Sequence, residues 1–396
     1  MAKKTPLHAL HTELGATFTD CGGWSMPLRY TSELAEHHAV RTTAGLFDLT
    51  HLGEAEVSGP EAGRALDHAL TGQPSRIAVG RGCSSVLVHE TGGVLDDLVV
   101  HRLAETRYRI VANAGNAMVV LSQLRDRVDG YAATIRNASG DRALIAVQGP
   151  AAQAIIGAVA DRDVVSLEHN AITPARLGGR EVLLARTAGT GSTGSTGGTG
   201  STGGTGSTGG TGSTGGAGGI GEDGFGVHCR PADAEALWRT ISAAGTGHGL
   251  LACGLACRYT LRLEAGTPSC GRELTPRTTP FEAGLGHAVT FGKPGGFVGE
   301  AALAARRDQG PTRVLVGLTS TGRRAPRTGC AVLAPDTGEH IGEVTSGALS
   351  PTLGHPVALA YLRTDRSAPG TEVLVDIRGG HEHARVVELP FHRRPA

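Results

Sequence analysis

The sequence predicts an α+β body followed by a C-terminal β-barrel, and three patterns predict it. Segments with a helical apolar period, ELAEHHAVRTTAG from Glu33 and ADAEALWRTISAAG from Ala232, carry Ala-rich faces and stop at a glycine. Alternating segments sit between them: GCSSVLVHETGGVLDDLVVHRL from Gly82 reads as two strands around the turn ETGG, and RYRIVANAG follows as a third. The final hundred residues are dominated by short strands with Gly or Pro turns. TRVLVGLTS, CAVLAP, HIGEVTSG, PVALAYLR, TEVLVDIRG and HARVVELPF recur there at the spacing of a closed or sandwiched β domain.

Taken from the N-terminus, MAKKTPLHALHTELG has two lysines but no apolar run behind them, and no segment reaches the ~18 apolar residues of a membrane span. A cytoplasmic protein without a membrane partner is expected. Lys plus Arg and Asp plus Glu both count 37, so no charge excess points to nucleic acid. The 396 residues suffice for two or three domains with a substantial core. Seven cysteines lack C-x-x-C spacing, which fits a reduced protein without a zinc site. Cys253 and Cys257, four apart at a helix start, are read as small buried thiols, because a zinc site wants four ligands.

From Gly189 to Gly219 the chain contains only Gly, Ser, Thr and one Ala, repeating GSTGGT. Such a tract has no apolar surface to offset its ordering entropy, so a disordered coil is expected. Its flanks, REVLLART before and GEDGFGVHC after, both read as strands. The tract is therefore expected to interrupt a strand pair rather than to link two domains.

Two segments carry candidate chemistry. In GGVLDDLVVHRL, strand alternation puts Leu95, Asp97, Val99 and His101 on one face and Val94, Asp96, Leu98 and Val100 on the other. Both faces are otherwise apolar, so the acids either sit buried with partners or a ligand, or close the turn and face water. In ACGLACRYTLRLEAG, Arg262 and Glu264 read as an internal ion pair, while Arg258 at the helix start could equally reach an anionic ligand. His37 and His38 are neighbours on a helix and cannot share a face, which argues against a metal pair. No G-x-S-x-G, P-loop or helix-opening G-x-G-x-x-G is present, and the Gly-rich tract has no Lys-Ser/Thr after it.

Nine motifs in order resemble the aminomethyltransferase or T-protein family of the glycine cleavage system. They are GGWSMPLRY from Gly22, EHHAVRTTAGLFDLTHLGE from Glu36, GGVLDDLVV from Gly92, VANAGN from Val111, ALIAVQGP from Ala143, RLEAG from Arg262, PFEAGLG from Pro280, GEVTSGALSPTLG from Gly342 and ELPFHRR from Glu388. The resemblance runs from about Thr5 to Arg393. It implies a three-lobed fold, with two interleaved α+β lobes over residues 5–290 and a C-terminal antiparallel β-barrel over residues 298–396, around a folate channel. It also implies that the tract at 189–219 expands one loop, since Arg186 and Thr187 begin a family segment that Gly221 to Phe225 completes.

The implied activity moves a one-carbon unit from the aminomethyl-lipoyl arm of the H-protein to tetrahydrofolate, giving 5,10-methylenetetrahydrofolate and ammonia, without a metal. The resemblance makes Asp97 the catalytic residue and Asn113, Arg258 and Arg393 folate-binding. Departures fall near the implied pterin site: Ser84 and Cys270 stand where the family has Tyr, Gly226 where it has an acid, and Tyr259 where it has Asp. Two other readings share the scaffold: a folate-dependent methyltransferase or demethylase with a different donor, and a non-catalytic folate-binding relative.

Overall fold

The computed structural model describes residues 2–187 and 219–394, so all of the Gly/Ser/Thr tract except Gly219 lies outside the described residues. A small three-stranded sheet opens the chain, with Trp24–Arg29 between Lys3–Lys4 and Thr17–Cys21. A six-stranded sheet follows, in the order Ile172–Leu177, Arg180–Thr187, Gly224–Cys229, Ala143–Gln148, Ala44–Asp48 and Leu250–Ala252. Its neighbours run antiparallel except the edge strand Leu250–Ala252, which lies parallel to Ala44–Asp48.

A five-stranded sheet is ordered Arg81–Val88, Val94–Ala104, Arg107–Ala112, Gly53–Ser58 and Thr134–Asn137. All of its strands lie between Ala44–Asp48 and Ala143–Gln148 in the chain, so one sheet is spliced into the other. That is the interleaving the sequence implied. The crossover between the two sheets is the short segment Leu49 to Leu52, where the site described below begins.

The strands flanking the tract do meet. Arg180–Thr187 pairs antiparallel with Gly224–Cys229 over six residues, from Val182 opposite Cys229 to Thr187 opposite Gly224. Both strands bury their inward residues in one core with Leu184, Phe225, Val227 and Trp238. Replacing residues 189–218 by Tyr-Thr is expected to keep the fold and to raise stability by up to about 2 kcal/mol, through a shorter closed loop. Urea unfolding of that variant checks this, and a large loss of stability contradicts it.

All six C-terminal strands form, and they close into a barrel ordered Arg313–Ser320, Pro356–Arg363, His340–Leu349, Ala331–Leu333, Glu372–Ile377 and Gly380–Val387. The strand Pro356–Arg363 is buried for seven consecutive residues. Alternation explains this: Ala358, Ala360 and Leu362 fill the barrel, while Val357 and Leu359 point outward and pack on Leu263 of the helix Leu255–Glu264. The helix is thereby held between the barrel and the apolar cluster of Val40, Phe47, Leu49 and Leu261.

Arg262 and Glu264 do not pair with each other, contrary to the sequence expectation. Two residues apart on a helix, they point in different directions. Arg262 binds Glu273 at 3.1 Å and Ser346 at 2.7 Å, whereas Glu264 binds Arg41 of the helix Glu33–Thr42 at 2.9 Å.

Candidate active site

Strand register brings Asp97 and Asn113 together. Val99 faces Val111 in the antiparallel pair of Val94–Ala104 and Arg107–Ala112, and two residues further from the turn the same register puts Asn113 opposite Asp97. Asn113 Nδ2 donates to Asp97 Oδ1 and to Asp96 Oδ1, each at 2.8 Å, and its backbone N–H donates to Asp96 Oδ2 at 3.1 Å. Asp96 and Asp97 are 0% and 2% exposed, which excludes the reading that they merely close a turn in water. Burial pushes the Asp96 carboxyl up, against the opposing pull of hydrogen bonds from Asn113 and Cys270.

The start of this strand is fixed by contact between backbones. A Cβ at Gly93 would lie 1.8 Å from the Pro276 carbonyl oxygen, and the next residue, Val94, donates its N–H to Thr278 O at 2.9 Å. Gly93→Ala is therefore expected to cost at least about 2 kcal/mol, because a backbone carbonyl must move. Denaturant unfolding reads this directly.

Arg258 enters from the first turn of the helix Leu255–Glu264. Its guanidinium lies 5.7 Å from the Phe47 ring centre and donates to Gln148 Oε1 at 3.1 Å. Burial lowers its pKa to about 10, so it stays cationic at neutral pH. Asp97, Asn113 and Arg258 line one cavity of about 140 Å³, together with Leu49, His51 and Leu52 of the crossover, Arg262, Gly219 and the loop Thr267 to Ser269. This is less than the roughly 300–1,000 Å³ of pockets that enclose a whole drug-sized ligand. A fixed carboxylate and guanidinium groups lining the same cavity can hold a developing positive charge and an anionic or carbonyl edge of one ligand.

The family model of the GCVT N-terminal domain matches residues 7–195 and 217–293, and that of the glycine cleavage T-protein C-terminal barrel domain matches residues 313–392. The chain belongs to the glycine cleavage T-protein family. It is similar to the aminomethyltransferase of Saccharopolyspora erythraea, 48% identical over 394 residues that cover 100% of this chain and 99% of the relative. Similarity to the aminomethyltransferase of Bacillus subtilis is 39% over 395 residues, covering all of both chains. Among solved structures, the glycine cleavage system aminomethyltransferase T from Bartonella henselae matches with a TM-score of 0.85 at 32% identity, over 99% of this chain and 98% of that one.

Of the T-protein site residues expected from sequence, three converge on the cavity and one does not. Arg393 is exposed near the C-terminus, with its guanidinium 3.4 Å from Leu389 O, and is not among the residues lining the cavity. Of the departures, Cys270 is built into the support of the acids: Asn116 Nδ2 donates to its Sγ at 2.8 Å, and burial beside Asp96 and Asp97 raises its thiol pKa. Tyr259 lies between guanidiniums, 4.6 Å from Arg262 and 5.2 Å from Arg272, and Gly226 sits in mid-strand between Ala146 and Ala185. Cys270, Tyr259, Gly226 and Ser84 do not line the described cavity.

Cys253 and Cys257 are buried, with Glu36 close enough that their ligand atoms lie within 4.8 Å of one another. The Glu36 carboxylate already accepts from the N–H groups of Tyr30, Thr31 and Gly254, and burial raises the Cys253 thiol pKa. The trio thus behaves as a helix-start anchor. His51, Gln148 and Arg262 were missed from sequence as parts of the site or its surroundings. The one signal for His51 was a lone polar ring within the apolar run LTHLG.

Proposed function

We propose that this chain acts as the aminomethyltransferase of a glycine cleavage system, with tetrahydrofolate as acceptor and a lipoylated H-protein as donor, in the cytoplasm. The observation that carries this reading is the cavity between the interleaved lobes, where Asp97, held by Asn113, shares the wall with Arg258. The full-length identity to aminomethyltransferases favours it over a methyltransferase, demethylase or non-catalytic relative. The cavity fits one end of a folate, whose pterin presents a polar edge to a carboxylate and an amide.

The reaction balances without a redox partner. The carbon of H₂N–CH₂–S–lipoyl loses its bonds to nitrogen and sulfur and gains bonds to N5 and N10 of tetrahydrofolate. The two folate N–H protons leave with ammonia and with the released thiol. The electron-poor methylene–nitrogen centre that forms on the way is what a fixed carboxylate stabilises, so Asp97 is assigned to that charge and to orienting the folate nitrogens. Arg258 anchors an anionic or carbonyl group of the same ligand.

The test is tetrahydrofolate binding by calorimetry, with methylene transfer from aminomethyl-loaded H-protein assayed on the same preparation. Binding with transfer supports the reading. A folded protein that neither binds nor transfers refutes it.

A further inference from the structure

His51 occupies the crossover between the two sheets, and the surrounding backbone is firmly pinned. Thr50 N–H donates to Asp48 Oδ1 at 2.9 Å, Leu144 N–H donates to Thr50 Oγ1 at 3.1 Å, and Leu52 N–H returns to Leu49 O at 3.1 Å. The ring is 6% exposed and lines the cavity that holds Asp97 and Arg258. Its Nδ1 is buried without a hydrogen-bond partner among the described residues. Behind Arg258, Gln148 is wholly buried, and its Nε2 is likewise unpartnered.

Buried polar atoms are nearly always paired. Nδ1 is sealed off, whereas Nε2, which also has no hydrogen-bond partner among the described residues, keeps accessible surface and is the nitrogen a ligand in the cavity can meet. The ring is neutral at ordinary pH: burial lowers its pKa to about 4, with the Arg258 charge adding to that and Asp48 opposing it. A neutral imidazole offers one N–H and one lone pair, which suits a ligand edge carrying both donors and acceptors. Because the crossover is rigid, the ring is positioned before any ligand arrives.

We infer that His51 is a positioning residue for the transfer reaction, hydrogen-bonding the bound folate on the wall it shares with Arg258 and so setting the angle at which the folate nitrogens meet Asp97. The inference rests on the folate reading above. It assigns His51 a role distinct from charge stabilisation, since the ring is uncharged and does not supply the carboxylate.

Two variants and one measurement on the wild type test it. His51→Leu fills the space without polar atoms, and is expected to raise the tetrahydrofolate Kd roughly 10–100-fold. Its ligand-free melting temperature should stay level or rise, because an orphan polar group has been removed. His51→Gln restores a donor and an acceptor near Nε2, and should return the Kd to within about threefold of wild type. In the wild type, the His51 imidazole nitrogen resonances, identified by their absence from the Gln variant, should move when tetrahydrofolate is added.

An unchanged Kd in the Leu variant overturns the inference. So does a Leu variant that melts lower and is not rescued by Gln, which marks a structural role. If the Leu variant does not fold, static wild-type resonances overturn it and moving resonances support it. Failure of the wild type to bind tetrahydrofolate at all refutes the folate reading instead, and this inference falls with it.

Discussion

Asp97→Asn is expected to lower methylene transfer by about 10²–10⁴-fold, the range spanned by a positioned acid–base or charge-stabilising group. The substitution keeps shape and keeps an oxygen to accept from Asn113 Nδ2, the 2.8 Å bond that orients the native side chain. Folding should therefore survive, and thermal melting should stay close to wild type. What is lost is the negative charge in a site where Arg258 and Arg262 supply positive charge and the remaining carboxyl, Asp96, is 0% exposed and raised in pKa. Single-turnover transfer from loaded H-protein separates the chemical step from binding. More than about a tenth of wild-type activity would remove Asp97 from the catalytic role.

The second large effect is on stability. Glu264 joins three parts of the fold at one carboxylate: Oε2 accepts from Arg41 Nε at 3.1 Å and Thr352 Oγ1 at 2.8 Å and faces His37 Nε2 at 3.2 Å, while Oε1 accepts from Ser350 Oγ at 2.5 Å. Glu264→Gln leaves these donors facing an amide with one acceptor, so a loss of about 3–5 kcal/mol is expected, the usual cost of breaking one partner out of a buried ion pair. Burial alone would raise the Glu264 pKa, but the His37 hydrogen bond and the Arg41 charge outweigh it, and the carboxyl is held far below its ordinary value.

The sign for pH follows. A depressed folded pKa gives stability that is complete above the ordinary glutamate value of about 4.3 and is lost as pH falls towards the folded pKa. Urea unfolding should show a wild-type advantage over Glu264→Gln that is constant from pH 7 to about pH 5.5 and shrinks between about pH 4.3 and pH 3. An advantage that does not change with acid would mean that the carboxylate charge is not what the network uses.

Most of the fold was legible because each strand carried its own signal. The barrel segments are short, β-branched and bounded by turns, and the D-D strand is apolar on both faces, so local pattern sufficed. Partnership was less legible. Arg262 and Glu264 sit two apart in the chain, yet their partners Ser346 and Arg41 are 84 and 223 residues away, a choice made by the packing of helix against barrel.

The opening three-stranded sheet escaped for a related reason: its strands are half-exposed and weakly patterned, and Lys3–Lys4 has no apolar residue at all. Asp97, Asn113 and Arg258 were found through motif resemblance, and the register of two strands then explains why the first two meet. Arg393, also chosen by resemblance, is exposed and does not line the described cavity.

The splicing of one sheet into another sets an order of events during synthesis. The five-stranded sheet draws its strands only from residues 53–137, so its strand pairing is local in the chain, while Val86, Val88 and Val94 pack on Leu274 and Leu285 from much later in it. Its host cannot close until Leu250–Ala252 emerges and lies beside Ala44–Asp48, some two hundred residues upstream. Until then the strand Ala44–Asp48, buried at every position in the finished protein, is an apolar edge without its neighbour. In the order of translation, the strands that carry Asp97 and Asn113 thus come well before Arg258, and the backbone of Pro276 and Thr278 that fixes the start of the Asp97 strand comes later still.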